Sequence, residues 1–185
     1  VTDGYPVAVQ VTLDDTVTTG AVRVTAEITG AILGDINGVF FDLMQNVNTL
    51  PLLPAAITDN PGGIAAVISE GAVNNIGNGV NMNGSGQSFF DVGVRIGTSG
   101  GIGRGDDYQM GIFSVAGVSI SDFTSIGVRV KSIDVGGSRT GSSKLSGPVP
   151  IGEPVPEPTT IALLGIGLSG LAGAAVRRRL KKAKQ

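Results

Sequence analysis

Two aspartates, Asp42 and Asp91, are candidate carboxylates for glycoside hydrolysis, because each lies on the polar side of a predicted strand. A pair of carboxyl groups about 5–9 Å apart can cleave a glycosidic bond. The pattern does not bring the two together, and solvated strand faces are the simpler interpretation. The chain has no His and no Cys, so it lacks the commonest general base and any thiol nucleophile. We therefore expect no catalytic residue and no enzyme.

Short motifs elsewhere in the chain do not change that expectation. The segment Ser142-Ser143-Lys144 lacks the S-x-x-K spacing of a serine nucleophile with its lysine. The stretch Gly101-Ile102-Gly103-Arg104-Gly105 is not G-x-G-x-x-G, and no helical pattern follows it. Arg104-Gly105-Asp106 matches an adhesion tripeptide, but three residues recur by chance. Hairpin loops and salt-bridged turns account for these segments.

Three acidic turns offer oxygen atoms of the kind that calcium binds: Asp14-Asp15, Asp35 with Asn37, and Asp106-Asp107. Calcium takes six to eight oxygen ligands, and no segment has the D-x-[DN]-x-[DN]-G pattern of a calcium loop. Polar turns are the simpler interpretation. We expect no metal site and no cofactor, with calcium at the loop tips kept as the alternative.

Charge divides the chain into two parts. All fifteen acidic residues precede Thr159, together with seven basic residues, so residues 1–158 carry a net charge of −8. The remaining residues carry +6, which leaves −2 for the whole chain. An acidic domain repels nucleic acid, so we expect no nucleic-acid partner. Because there is no Cys, the folded domain has to be held together by packing alone.

Alternation of apolar and polar residues predicts an all-β fold over residues 1–147. The pattern is clearest in residues 5–13, 21–29, 89–96 and 126–133, where it indicates strands with one buried face. Seven or eight short strands without a soluble helix predict an antiparallel β-sandwich or jelly roll. The residues expected to be buried between the two sheets are Val9, Val24, Phe41, Val92 and Val128.

Several segments are predicted to lie outside the core. Residues 74–88 contain nine Asn or Gly, which is typical of a long flexible loop. Residues 136–147 are polar and are expected to be a loop. In the strand at residues 126–133, Arg129 and Lys131 are predicted to point outward, away from the core.

The last part of the chain has three consecutive segments. Residues 148–158 contain five prolines, which predicts an extended, stiff stalk. Residues 159–176 are eighteen uncharged residues, which predicts a helix of roughly 27 Å at about 1.5 Å per residue, long enough to cross a membrane. Residues 177–185 contain six Arg or Lys, so the positive-inside rule predicts a basic cytoplasmic tail.

This tail closely resembles the PEP-CTERM sorting signal of Gram-negative bacteria. The resemblance rests on the motif Pro156, Glu157 and Pro158, the apolar span after it, and the cluster Arg177, Arg178 and Arg179. It implies an exosortase-type processing enzyme as partner, which cuts near the motif. It also implies an exported protein, anchored in the inner membrane before processing and then sent to the cell surface or extracellular matrix. Because such proteins carry a leader, we expect that a signal peptide preceded Val1 and was removed.

A much weaker similarity covers residues 89–105, 122–123, 126–133 and 141–145. These segments resemble a domain often found ahead of this signal. No active residues carry over from it.

The predicted function is that of a non-catalytic structural or interaction protein of the cell envelope, biofilm or exopolysaccharide matrix. The alternative is a carbohydrate-binding module acting in that matrix, with exopolysaccharide as its ligand. Sugar-binding faces usually expose aromatic rings, and the chain has only two Tyr, six Phe and no Trp. A surface enzyme is the third hypothesis, and the missing His, Cys and motifs argue against it.

Replacing Arg177, Arg178 and Arg179 by Glu should disturb membrane topology or retention, because the cytoplasmic charge signal is lost. Replacing the same three residues by Lys keeps the charge and is the matched control. Fractionation and protease accessibility of residues 1–150 in intact cells measure the outcome. Unchanged localisation and processing of the Glu variant would contradict a role for this cluster in sorting.

Overall fold

A computed structural model of the chain describes residues 2–44, 57–59, 64–97 and 108–150. The chain divides into two units, Val1–Pro150 and Ile151–Gln185. The description below concerns the first unit alone. The predicted span, the basic tail and all of the predicted stalk after Pro150 lie outside the described residues.

The described residues form ten strands and one short 3₁₀ turn, Ile120–Asp122. The six-stranded sheet A has the order β1-β10-β9-β4-β7-β6, and the four-stranded sheet B has the order β2-β3-β8-β5. Every pairing is antiparallel, which confirms the all-β prediction. The strands are β1 Thr2–Gly4, β2 Ala8–Thr18, β3 Ala21–Thr29, β4 Asp35–Leu43, β5 Ile57–Asp59, β6 Ile64–Val73, β7 Phe90–Ile96, β8 Met110–Ala116, β9 Phe123–Val135 and β10 Ser138–Pro148.

The main core lies between the two sheets and is formed by side chains at alternate positions of their strands. Val24 from sheet B and Phe41, Val92 and Val128 from sheet A are buried there, as predicted. The ring of Phe41 lies 5.2 Å from that of Phe123 and 6.2 Å from that of Phe113, measured between centroids. The fifth predicted residue, Val9, is only half-buried and packs against the rim of this core.

The prediction of a loop over residues 136–147 was wrong, because Ser138–Pro148 forms the long strand β10. This strand pairs with β9 on one side and with β1 on the other. Backbone hydrogen bonds from two neighbouring strands hold it in place, so it forms without an apolar alternation of its own. Val149 N–H still donates to the carbonyl of Thr124 at 3.0 Å.

The prediction of a loop over residues 74–88 is confirmed, and the loop is closely packed against the sheet. Residues 74–89, here called the outer loop, fold over the face of sheet A that points away from the main core. Ile76, Val80 and Met82 are buried there in a second cluster with Phe40 and Phe90. The loop closes on itself through backbone bonds, with Ile76 N–H donating to Val80 O and Met82 N–H to Asn74 O, both at 2.9 Å.

Strict alternation along β7 would place Phe90 on the same face as Val92, Val94 and Ile96. It lies instead in the outer cluster, with its ring centroid 5.7 Å from that of Phe40. The alternation of β7 therefore breaks at its first residue. The register between β6 and β7 is shifted in the same place, between the pairs at Val92 and Phe90.

Glycines on sheet A make room for the outer loop. Gly93 and Gly127 are the cross-strand partners of Phe40 on its two sides. A Cβ atom at Gly93 would lie 2.5 Å from Cγ2 of Ile76, and one at Gly127 would lie 2.6 Å from Cζ of Phe90. Any larger residue at these positions would collide with the outer cluster, so the loop docks only on a glycine surface.

Cationic side chains of sheet A hold the outer loop by its carbonyl groups. Arg95 Nη1 donates to Ile76 O at 3.3 Å, and Lys131 Nζ donates to Asn78 O at 3.2 Å. Lys144 bonds the carbonyl of Asn83. Arg129 and Lys131 do point away from the main core, as predicted, but they are buried, with exposed fractions of 9% and 4%. Burial, with the neighbouring charge of Arg129, lowers the pKa of Lys131, while Asp35 acts in the opposite direction.

Replacing Gly127 by Val should destabilise the exported unit by about 1–3 kcal/mol, the usual cost of overpacking. The new side chain would meet Phe90 and Met82 at less than 3.0 Å. Gly147 on the neighbouring strand is the matched control, because a Cβ atom there meets nothing within 4 Å. Urea unfolding of residues 1–150 measures both variants. Equal stability of the two variants would contradict close packing of the outer loop.

Candidate binding groove

An open apolar groove of about 360 Å³ lies where β2 of sheet B faces β9 and β10 of sheet A. No charged residue lines it. The lining residues come from β2, β9 and the last part of β10 with the two residues that follow: Val9, Val11, Leu13, Ile126, Val128, Leu145, Ser146, Gly147, Pro148, Val149 and Pro150.

One wall of the groove is the edge strand β2. Val9, Val11 and Leu13 are half-buried, whereas Ala8, Gln10 and Thr12 between them are exposed. This alternation is the one that the sequence shows, and it directs the apolar side chains toward sheet A. The side chains stay half-exposed because β2 is the edge of its sheet.

The other wall owes its shape to a glycine near the end of β10. Leu145 pairs with Val128 and Gly147 pairs with Ile126, and cross-strand partners point to the same face of a sheet. A side chain at position 147 would therefore point into the groove. Since a Cβ atom at Gly147 meets nothing within 4 Å, the missing side chain leaves the groove open.

Asp42 and Asp91 are brought together by the structure, which sequence reasoning did not foresee. They lie where the ladder between β4 and β7 ends. The N–H of Asp91 donates to Oδ1 of Asp42 at 2.9 Å, and the N–H of Leu43 donates to Oδ2 of Asp91 at 3.0 Å. Each carboxylate therefore accepts a hydrogen bond from the backbone of the other strand and extends the pairing beyond the last backbone rungs.

Neighbouring side chains complete the environment of this carboxylate pair. Ser125 Oγ donates to Oδ2 of Asp42 at 2.6 Å, and the amide of Gln87 donates to the same oxygen. Burial raises the pKa of Asp91, the N–H of Leu43 acts against this, and the charge of Asp42 adds to the rise. The pair thus ties β4, β7 and β9 to the outer loop.

The other acidic turns are engaged in local hydrogen bonds where the structure describes them. Asn37 Nδ2 donates to Oδ2 of the buried Asp35 at 2.7 Å, and the N–H of Tyr108 donates to its Oδ1 at 3.2 Å. The backbone and hydroxyl of Thr16 donate to Asp14, which lowers the pKa of that carboxyl. Within the described ranges no three His, Cys, Asp or Glu side chains form a metal-binding group. Calcium stays an untested alternative.

The remaining predicted sites fall outside the described residues. These are the sorting motif Pro156, Glu157 and Pro158, the cluster Arg177, Arg178 and Arg179, and the glycine-rich turn with Arg104 and Asp106-Asp107. In the part of the chain that is described, no helix has the length and apolarity needed to cross a membrane. The predicted span at residues 159–176 is not in that part.

Residues 154–179 match the PEP-CTERM protein-sorting motif. The match contains the predicted Pro-Glu-Pro motif and the three arginines, so the predicted sorting signal is confirmed. Searches of curated proteins and of solved structures gave no match. The sorting motif implies an exported protein that an exosortase-type enzyme processes, and the described residues ahead of it form an all-β unit.

The pair Asp42–Asp91 predicts a specific pH dependence of stability. Because the pKa of Asp91 is raised above 3.8, the folded state binds this proton more tightly than the unfolded state. Its contribution to stability therefore improves as the pH falls from the raised pKa to 3.8. Thermal unfolding of residues 1–150 measures this. The stability of the wild type relative to the variant Asp91→Asn should increase as the pH falls over this range. Parallel pH profiles of the two proteins would contradict the assignment.

Proposed function

We propose that this chain is a non-catalytic structural or interaction protein of the cell envelope, biofilm or exopolysaccharide matrix. The observation that carries the proposal is the sorting motif at residues 154–179, which follows a separate all-β unit. The signal supports an exported protein that an exosortase-type enzyme processes. The exported unit then supplies whatever the protein does outside the cell.

Several features support a role without catalysis. The chain has no His and no Cys, and the two carboxylates that could have served hydrolysis accept hydrogen bonds from backbone N–H groups. The groove between β2 and β10 is lined by apolar side chains and contains no charged group. Such a surface suits recognition of a partner better than acid–base chemistry.

In this proposal the last part of the chain anchors the protein and is cut off before the exported unit carries out its role. The prolines up to Pro158 hold an extended stalk, residues 159–176 span the inner membrane, and residues 177–185 stay in the cytoplasm. The exosortase-type enzyme cuts near Pro156, Glu157 and Pro158. The released unit, with a net charge near −8, then moves to the cell surface or the matrix.

A carbohydrate-binding module is the second candidate, and one observation favours it. Phe89 is 58% exposed and Tyr5 is 44% exposed, and exposed rings can stack on sugar faces. A glycan array distinguishes the two candidates. Selective binding of one glycan that Phe89→Ala abolishes would favour the module over a structural role.

Intact-mass measurement of protein taken from the native cell surface tests the main proposal. We expect the mature protein to lack residues 159–185, since cleavage near the motif removes both the span and the tail. The variant P156A/E157A/P158A should keep them and stay in the inner membrane. Finding residues 177–185 on most surface molecules of the wild type, or finding the mature form only in the periplasm, would overturn the proposal.

A further inference from the structure

We propose that the groove binds an extended β-strand of a partner protein, which pairs with the open edge of β2 and fills the groove with apolar side chains. This inference rests on the proposed interaction function and adds the chemical nature of the partner. It draws on two independent features of the same place: the edge of sheet B, where no strand of the described residues pairs with the outer side of β2, and the apolar cavity beside it.

The edge of β2 lacks the devices that protect other edges of this fold. Edge strands are usually blunted by shortness, Lys, Pro or bulges. The edges at β1 and β5 are only three residues long, and the ladder of β6 is broken by two register shifts. In contrast, β2 is eleven residues long, contains no Lys, Arg or Pro, and is regular from Ala8 to Asp14.

The sheets differ in width at this side of the unit. In sheet A, β10 and β1 lie beyond β9, whereas the described part of sheet B ends at β2. A strand added to β2 would lie over β10. Its inward side chains would contact Val11, Leu145 and the open space above Gly147.

The choice of a strand over another apolar ligand follows from the backbone. An acyl chain would fill the apolar volume but leave the N–H and C=O groups of the β2 edge without a protein partner. An extended peptide fills the apolar volume and also bonds the backbone groups of β2, because it pairs along the edge while every second side chain enters the groove. The volume of about 360 Å³ lies at the small end of the usual range for ligand sites, which suits a few side chains.

Charge further limits the partner strand. The groove lining is uncharged, and the acidic pair Asp14-Asp15 follows it along β2. The exported part as a whole carries −8. The partner strand is therefore apolar at alternate positions and basic at the end that lies beside Asp15. In an antiparallel pairing, this is its N-terminal end.

Binding of a designed peptide to the full chain in lipid nanodiscs tests the proposal. The probe is a fluorescein-labelled peptide of alternating Val and Thr with Lys at its N-terminus, followed by fluorescence anisotropy against empty nanodiscs. We expect saturable binding. A peptide of the same composition with clustered Val should bind at least about tenfold more weakly, and so should one N-methylated at the residues that pair with β2.

Two protein variants locate the site. Gly147→Leu places a side chain in the groove, at a position where a Cβ atom meets nothing within 4 Å, and should weaken binding at least about tenfold while the protein stays folded. Ser138→Leu adds the same side chain at an exposed position of the same strand and should bind as the wild type does. Circular dichroism and urea unfolding of both variants show that the fold is retained.

Other outcomes would overturn the proposal. Equal binding of the N-methylated peptide would assign the groove to apolar ligands without strand pairing. Unchanged binding to Gly147→Leu would place the site elsewhere, and absence of peptide binding would exclude strand addition. Self-association that Gly147→Leu abolishes, without peptide binding, would assign the groove to a second copy. Surface localisation and intact mass are measured separately, so the proposed function and this inference can fail independently.

Discussion

Burial of both faces of β4 is the constraint on which the rest of the exported unit depends. This strand lies between β9 and β7, and eight of its nine residues are buried. Val39 and Phe41 point into the main core, whereas Phe40 between them points into the outer cluster. A strand can be buried on both faces only if something covers each face. Sheet B covers one face, and the outer loop covers the other.

The outer cover creates an electrostatic requirement. Sheet A carries Arg95, Arg129 and Lys131 on the face that the loop covers, and a buried cation is unfavourable unless it has hydrogen-bond partners. Carbonyl groups of the loop supply such partners for Arg95 and Lys131, and the carbonyl of Ser143 does so for Arg129. The same contacts hold a glycine-rich and asparagine-rich segment in one conformation. Loop and cations therefore stabilise each other.

The unequal width of the two sheets connects the fold to its proposed role. Sheet A has six strands and sheet B has four among the described residues, so apolar side chains of β2 remain half-buried at one margin. A glycine at position 147 keeps that margin open. The resulting groove is apolar within a strongly acidic unit, which favours recognition of an apolar or basic segment.

Sequence alone determined the features that are local or periodic. The alternation in residues 21–29 predicted the buried face of β3, and four of five predicted core residues are buried. The order of Pro-Glu-Pro, apolar span and arginines predicted the sorting signal, because that signal is contiguous in the chain. The same kind of alternation, repeated along residues 1–147, predicted an all-β unit.

The tertiary structure alone decided the features that depend on distant partners. Ser138–Pro148 has little apolar alternation and becomes a strand because β9 and β1 supply its hydrogen bonds. The outer loop looks flexible by composition, but Gly93 on the strand that follows it and Gly127 on the more distant β9 provide its docking surface. Asp42 and Asp91 are 49 residues apart and meet only through the pairing of β4 with β7. The groove likewise needs β2 and β10, which come from opposite ends of the unit. A cavity between two sheets leaves no pattern in the sequence of either strand, so it could not be predicted.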